Sequence, residues 1–191
     1  MRRRAALAIV ALVAALPACV QAGDAAPECR VNDVSTRVLT LAAQAVPSAT
    51  MLPCLDLLLP GWTFDGIQIT DDAYRFWLSS DRTGLRTVRV ELVSSCDVSG
   101  AVEVVPGPGE EGTRRFEAPL SLDPVYAANR YYTFPGGCVQ VEYRFGSDDP
   151  TLVLEADQAI GFRSRDGLVQ RLADLGIVLC GAGAPPCPGG D

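Results

Sequence analysis

The chain has 191 residues, of which 48% are hydrophobic, and it carries 16 basic and 23 acidic side chains for a formal charge of −7. Every basic residue is arginine, because lysine and histidine are both absent. Their absence excludes Ser-His-Asp and Cys-His nucleophiles, HExxH zinc sites, P-loops and Schiff-base lysines. The acidic charge repels phosphates and so argues against nucleic acid. We expect no cofactor or metal, and an enzyme of this composition would depend on carboxylates, as glycosidases do.

The N-terminus has the pattern of an export signal. Residues 2–4 are arginines, and residues 5–16 form an apolar run that suits a signal-peptide core and is too short to span a bilayer. The following Leu-Pro-Ala-Cys resembles a bacterial lipobox, which predicts removal of residues 1–18 and lipidation of Cys19. An alternative is cleavage after Val20-Gln21-Ala22, which would give a freely secreted protein. We favour the lipoprotein, held by its lipid at the extracytoplasmic face of the cell membrane.

Removal of the leader leaves an even number of cysteines and a more acidic chain. Residues 1–18 contain three arginines and no acidic residue, so 13 basic and 23 acidic side chains remain, a formal charge of −10. Six cysteines can close as three disulfides in an oxidising compartment, although 15 pairings are possible. We predict pairing in sequence order, because the first two cysteines flank a predicted helix, the next two end predicted strands and the last two bracket a loop. The predicted disulfides are Cys29–Cys54, Cys96–Cys138 and Cys180–Cys187.

The mature chain divides into a tether (residues 19–28), one domain (29–180) and an irregular Gly/Pro-rich tail (181–191). A helix is predicted over residues 33–46, with Asp33 as its cap, an apolar stripe and Pro47 after its end. Residues 51–60 are apolar but interrupted by Pro53, which predicts a short helical turn or a buried loop.

From Trp62 onward the apolar period changes to two, which predicts strands. We expect strands over residues 62–69, 74–80, 86–93, 101–105, 114–117, 129–134 and 138–145, with a bulge at Asp65-Gly66. Helices are predicted over residues 151–160 and 165–175. Because the strands alternate apolar with polar residues, one face of the sheet is buried and the other faces solvent. Such a sheet is predicted to be antiparallel, since parallel sheets are covered on both faces. The sequence therefore predicts a single α+β domain, with an antiparallel sheet of about five to six strands and helices packed on one face.

The polar face of this sheet is a speculative binding surface. A carbohydrate or peptide could stack on Trp77 and contact the guanidinium groups around it, which belong to Arg75, Arg89 and Arg144. The alternative, which we favour, is that these arginines pair across strands with Glu91 and Glu142 and that Trp77 packs against their stems.

Several strings in the chain resemble a family of uncharacterised actinobacterial envelope proteins. They are QAVPSA (44–49), PGWTFDG (60–66), RFWLSSDR (75–82), CDVSGA (96–101) and YYTFPGGC (131–138), and they accompany the lipobox-like leader. The resemblance covers most of residues 29–180 and implies an envelope location and a single domain, without an assigned activity. We therefore expect a non-enzymatic binding domain whose partner is an envelope protein or wall glycan. The alternatives are a carboxylate-dependent cell-wall glycan hydrolase and a small-ligand carrier.

Overall fold

The fold was obtained as a computed structural model, which describes residues 25–30, 33–121, 126–146 and 151–179. Within these residues the chain forms three helices and nine strands. In chain order they are α1 (Asp33–Ala45), β1 (Met51–Leu55), β2 (Trp62–Ile69), β3 (Tyr74–Ser80), β4 (Gly84–Val93), β5 (Val102–Val104), β6 (Arg114–Ser121), β7 (Tyr126–Phe134), β8 (Gly137–Phe145), α2 (Thr151–Ala159), β9 (Ile160–Ser164) and α3 (Arg165–Asp174).

Seven of these strands form one sheet in the order β2-β3-β4-β8-β7-β6-β5, and every neighbouring pair is antiparallel. Directly paired residues share a face, so the buried Phe76, Val90 and Val141 lie in one row across the sheet. The three helices pack against the large sheet and a small second sheet. The predicted single α+β domain is confirmed, with seven strands in its main sheet where about five to six were expected.

The predicted bulge in β2 is also confirmed. The register against β3 shifts between Phe64, which pairs with Leu78, and Ile67, which pairs with Phe76. Gly66 adopts a φ of +86° at the shift, a backbone conformation that glycine enters without a Cβ penalty. Because Leu78 and Phe76 face the same side, the bulge turns both β2 side chains toward the core.

The prediction of a short helical turn or buried loop over residues 51–60 is wrong for residues 51–55. Met51–Leu55 is strand β1, which pairs antiparallel with β9 to form the two-stranded sheet. Four of its five residues are buried, so the strand lacks the alternation by which half-buried strands are recognised. Pro53 pairs with Phe162 and has no backbone N–H to donate. The strand tolerates it because β1 pairs along its whole length on one side only, so some of its positions need no N–H for a partner strand.

The helices present small and aliphatic side chains to the sheets. Ser164 caps α3, accepting a hydrogen bond from the Gly167 N–H at 3.2 Å. The buried helical residues include Val38, Leu39, Ala42, Leu152, Ala156, Ala159, Leu168 and Leu172. No helix of the described ranges is long and apolar enough to cross a membrane.

Two of the three predicted disulfides are present. Cys29 is bonded to Cys54 and Cys96 to Cys138, across sequence separations of 25 and 42 residues. The third pair, Cys180–Cys187, and the predicted lipidation site, Cys19, lie outside the described residues. Disulfides persist in oxidising compartments and are rare in the cytosol, so the two bonds indicate an extracytoplasmic protein.

The packed part of the chain includes the end of the predicted tether. The Leu55 N–H donates to the Pro27 carbonyl at 2.8 Å, and the Cys29 N–H donates to the Leu55 carbonyl at 2.7 Å. Residues 27–29 therefore run alongside β1, next to the disulfide that joins the same two segments.

Candidate functional site

The predicted binding residues lie together on the polar face of the seven-stranded sheet, which we call the outer face. Trp77 is directly opposite Arg89, and Arg89 is opposite Glu142 on the next strand. Arg75 is opposite Glu91 in the adjacent row. The period-two pattern of the sequence thus placed these side chains on a shared surface.

Their charges are paired within that surface. Arg75 Nε lies 2.5 Å from Glu91 Oε1, and Arg89 Nη2 lies 2.9 Å from Glu142 Oε2. Arg144 forms an ion pair with the same Glu142. Arg75–Glu91 and Arg89–Glu142 are cross-strand pairs of the kind expected, whereas Arg144 and Glu142 both lie on β8. Each predicted arginine is thus already paired with a carboxylate.

Trp77 has a cation over its ring. The Arg86 guanidinium carbon lies 4.9 Å from the ring centroid, and the backbone of Arg86 is held by a 2.8 Å hydrogen bond from its N–H to Ser79 Oγ. A guanidinium in this position is attracted by the ring's quadrupole. A ligand that stacked on Trp77 would have to displace Arg86, so binding at the outer face stays a prediction.

A second polar cluster, which the sequence analysis missed, lies on the covered face of the sheet. Its centre is Arg130 of β7, whose Nη2 lies 3.0 Å from Glu117 Oε1 and whose Nη1 donates to the Tyr143 hydroxyl at 3.2 Å. Arg130 also forms an ion pair with Asp157 of α2, and the Tyr143 hydroxyl donates to Asp157 Oδ1 at 2.6 Å. We call these four residues the Arg130 cluster.

Burial sets the electrostatics of this cluster. It opposes the charged form of Arg130, but Tyr143 and Asp157 outweigh it and raise the pKa of the guanidinium above its usual value. Burial and the neighbouring Asp157 carboxylate raise the pKa of the Tyr143 hydroxyl well above its usual value. Arg130 thus stays charged and Tyr143 stays neutral. Their ion pair and hydrogen bond with Asp157 connect α2 to the sheet.

The loop between β5 and β6 extends this network. Glu110 accepts hydrogen bonds from the Tyr132 hydroxyl at 2.9 Å and from the Gly107 N–H at 2.5 Å. Arg115 Nη1 lies 3.3 Å from the same carboxylate. The sequence contains one signal for this network. Arg130 and Tyr132 are two residues apart in β7, and side chains two apart in a strand share a face, which places both on the core side.

Two carboxylates line a cleft of about 400 Å³ beside the small sheet. Asp56 and Asp157 both border it, together with Cys29 and Phe162. A glycan hydrolase would need an opposed pair of carboxyl groups in an open cleft. Asp157 is instead bonded to Arg130 and Tyr143, so its carboxylate already has a structural role.

A different opening lies between α1 and the end of α3, and we call it the α1–α3 groove. It has a volume of about 580 Å³, and its apolar walls include Leu41, Leu175 and Ile177, which are 47%, 52% and 48% exposed. The lining residues that the structure describes are Thr36, Arg37, Thr40, Leu41, Leu172, Leu175 and Ile177. Sequence analysis missed the groove, because Leu175 and Ile177 fall at and beyond the end of the predicted helix.

Comparison with known proteins adds no assignment. The chain matches no family model, no curated protein and no solved structure. The resemblance to actinobacterial envelope proteins is therefore still a prediction. Within the described residues, no group of three or more His, Cys, Asp or Glu side chains is arranged to hold a metal ion.

Proposed function

We propose that this protein is an exported, lipid-anchored cell-envelope protein whose domain binds a ligand or partner. Two independent observations support the location: the lipobox-like residues 16–19 behind a basic and apolar leader, and the disulfides Cys29–Cys54 and Cys96–Cys138. The mature chain carries a formal charge of −10, so the lipid on Cys19, and not a basic patch, supplies its contact with the membrane.

The binding role is carried by one observation, the exposed apolar α1–α3 groove. Small-molecule sites are concave, mostly apolar and about 300–1,000 Å³ in volume, and the groove fits this description. The outer face, by contrast, has its arginines paired and Trp77 covered. This contrast favours the alternative of a small-ligand carrier over a domain that binds a wall glycan.

The lipid anchor is tested by mass spectrometry of the N-terminal peptide of the protein isolated from the membrane fraction of its own cell. We expect a diacylated Cys19 as the first residue. The Cys19→Ala variant is the matched control, and it should lose the acyl mass and its recovery with membranes. An unmodified mature protein that begins at Gly23 would contradict the anchor, and a cytosolic protein with reduced cysteines would contradict export.

A further inference from the structure

We propose that the α1–α3 groove binds a single-chain anionic amphiphile, such as a long-chain fatty acid. The alkyl chain lies along the aliphatic walls and the anionic group beside Arg37. This inference depends on the binding role proposed above and names the chemical class of the ligand.

The apolar part of the groove suits an alkyl chain. The four apolar residues in the described part of its lining are all aliphatic, and Leu172 is only 1% exposed, so it forms the floor. Leu41 on one side and Leu175 and Ile177 on the other leave about half of their surface in solvent. Covering such surface releases about 25 cal/mol for each Å² removed from water, so an alkyl chain gains affinity along the whole groove.

The charge of the groove selects the head group. Arg37 is the charged residue of the lining, and the described residues that line the groove include no carboxylate. Arg37 is exposed and forms no ion pair with any residue whose side chain the structure describes, whereas Arg75, Arg89 and Arg144 on the outer face are all paired. Salt screens exposed charges beyond about 10 Å, so only acidic residues closer than that weaken this local preference.

The experiment measures binding of three submicellar probes that share a dodecyl chain, by titration calorimetry with the purified exported protein and its disulfides intact. The probes are dodecanoate, dodecyltrimethylammonium and dodecyl maltoside, which carry a negative, a positive and no charge. The variants are Leu41→Asp and Arg37→Gln, with Leu154→Asp as control, since Leu154 is an exposed helical leucine outside the groove. Near-ultraviolet circular dichroism verifies that each variant is folded.

We expect the wild-type protein to bind one dodecanoate per chain and to bind the cationic probe more weakly. Arg37→Gln should weaken dodecanoate binding about three- to fivefold, the size of an exposed ion pair, and leave dodecyl maltoside unaffected. Leu41→Asp should remove binding of all three probes, whereas Leu154→Asp should retain it.

Three results would overturn the inference: no binding of any probe, equal affinity for the anionic and cationic probes, or equal losses in Leu41→Asp and Leu154→Asp. Concentration-dependent self-association that Leu41→Asp abolishes would make a second copy of the chain the occupant, and it too would overturn the inference. None of these results changes the N-terminal mass spectrum, so the ligand class can fail while the export and anchoring of the protein stand.

Discussion

Gly136 lies directly against the backbone of Ser48. A Cβ atom on Gly136 would stand 1.9 Å from the Ser48 carbonyl oxygen and 2.7 Å from its carbonyl carbon. The Ser48 hydroxyl donates to the Gly136 carbonyl at 2.6 Å, and Gly136 has a φ of +73°. The turn between β7 and β8 is therefore locked to the segment that follows α1, and only glycine leaves room for that contact.

The Gly136→Ala variant should be strongly destabilised, because the added methyl group meets backbone atoms that cannot rotate away. We expect the free energy of unfolding to fall by about 2–4 kcal/mol. Gly100→Ala is the matched control: Gly100 also has a positive φ, of +80°, but has open space where the methyl group would lie. Urea unfolding measures both variants, and equal losses would show that the backbone strain, and not the contact with Ser48, dominates.

Removal of Arg130 should cost far more stability than removal of an exposed arginine. The Arg130 side chain is 7% exposed and shared by Glu117 and Asp157, whereas Arg114 is 66% exposed and pairs with Glu103. Arg130→Ala removes the cation that pairs with the largely buried Asp157, although Glu117 keeps its pair with Arg115, so we expect a loss of about 3–5 kcal/mol. Arg114→Ala should lose far less, because solvent and salt screen an exposed pair. Chemical denaturation distinguishes them, and similar losses would contradict a stabilising role for the Arg130 cluster.

Stability should fall in acid partly because of Glu117. Burial works to raise the pKa of this carboxyl, but the hydrogen bond from Arg115 and the charges of Arg130 and Arg115 outweigh it, so the pKa is lowered. A lowered folded-state pKa gives stability that is present above the unfolded value of about 4.3 and is lost as the pH falls through the folded value.

Glu117→Gln should therefore reduce the acid-induced drop in unfolding free energy, measured by urea titrations between neutral pH and about pH 3. Glu103→Gln is the comparison, since the hydrogen bond from Arg114 also lowers the pKa of Glu103 but the pair is exposed. Added salt should diminish the Glu103 effect more than the Glu117 effect. A pH profile unchanged by Glu117→Gln would contradict the assigned pairing.

Each disulfide should contribute substantially to stability. The loops closed by Cys29–Cys54 and Cys96–Cys138 have separations of 25 and 42 residues, for which the chain-entropy model gives about 3.5 and 4 kcal/mol. Replacing either pair by alanine should lower the free energy of unfolding by about 2–4 kcal/mol. A non-reducing peptide map of the wild-type protein verifies both linkages, and a different connectivity would contradict this expectation.

The sequence predicted the alternating strands well, since alternation records which face of a strand is wet. It failed for β1 and β9, which pair with each other from distant parts of the chain. β1 is buried on both sides, and Ile160–Ser164 lies directly between α2 and α3 with no intervening residue. Periodicity is a local signal, and neither strand carries one strong enough to be recognised.

The candidate sites also divide into those that a local sequence pattern predicts and those that depend on contacts between distant segments. Arg75, Trp77 and Arg89 share a face because β3 and β4 are neighbours in sequence and pair in register. The α1–α3 groove joins Leu41 to Leu175, from opposite ends of the domain, and no local pattern links them. Arg130 was missed because an arginine on the core side is compensated only by Asp157 and Glu117, which other elements supply.

The small sheet joins two segments that lie far apart in the chain. In the proposed export, an unfolded chain that emerged N-terminus first would present Cys29 and Cys54 well before β9, the partner of β1. Until β9 emerged, β1 would be an apolar segment with an unsatisfied edge, the kind of segment that associates with other chains. The Cys29–Cys54 bond requires only residues that have already emerged. Once this disulfide has formed, it holds β1 beside residues 27–29. It thereby restrains β1 before β9 is available to pair with it.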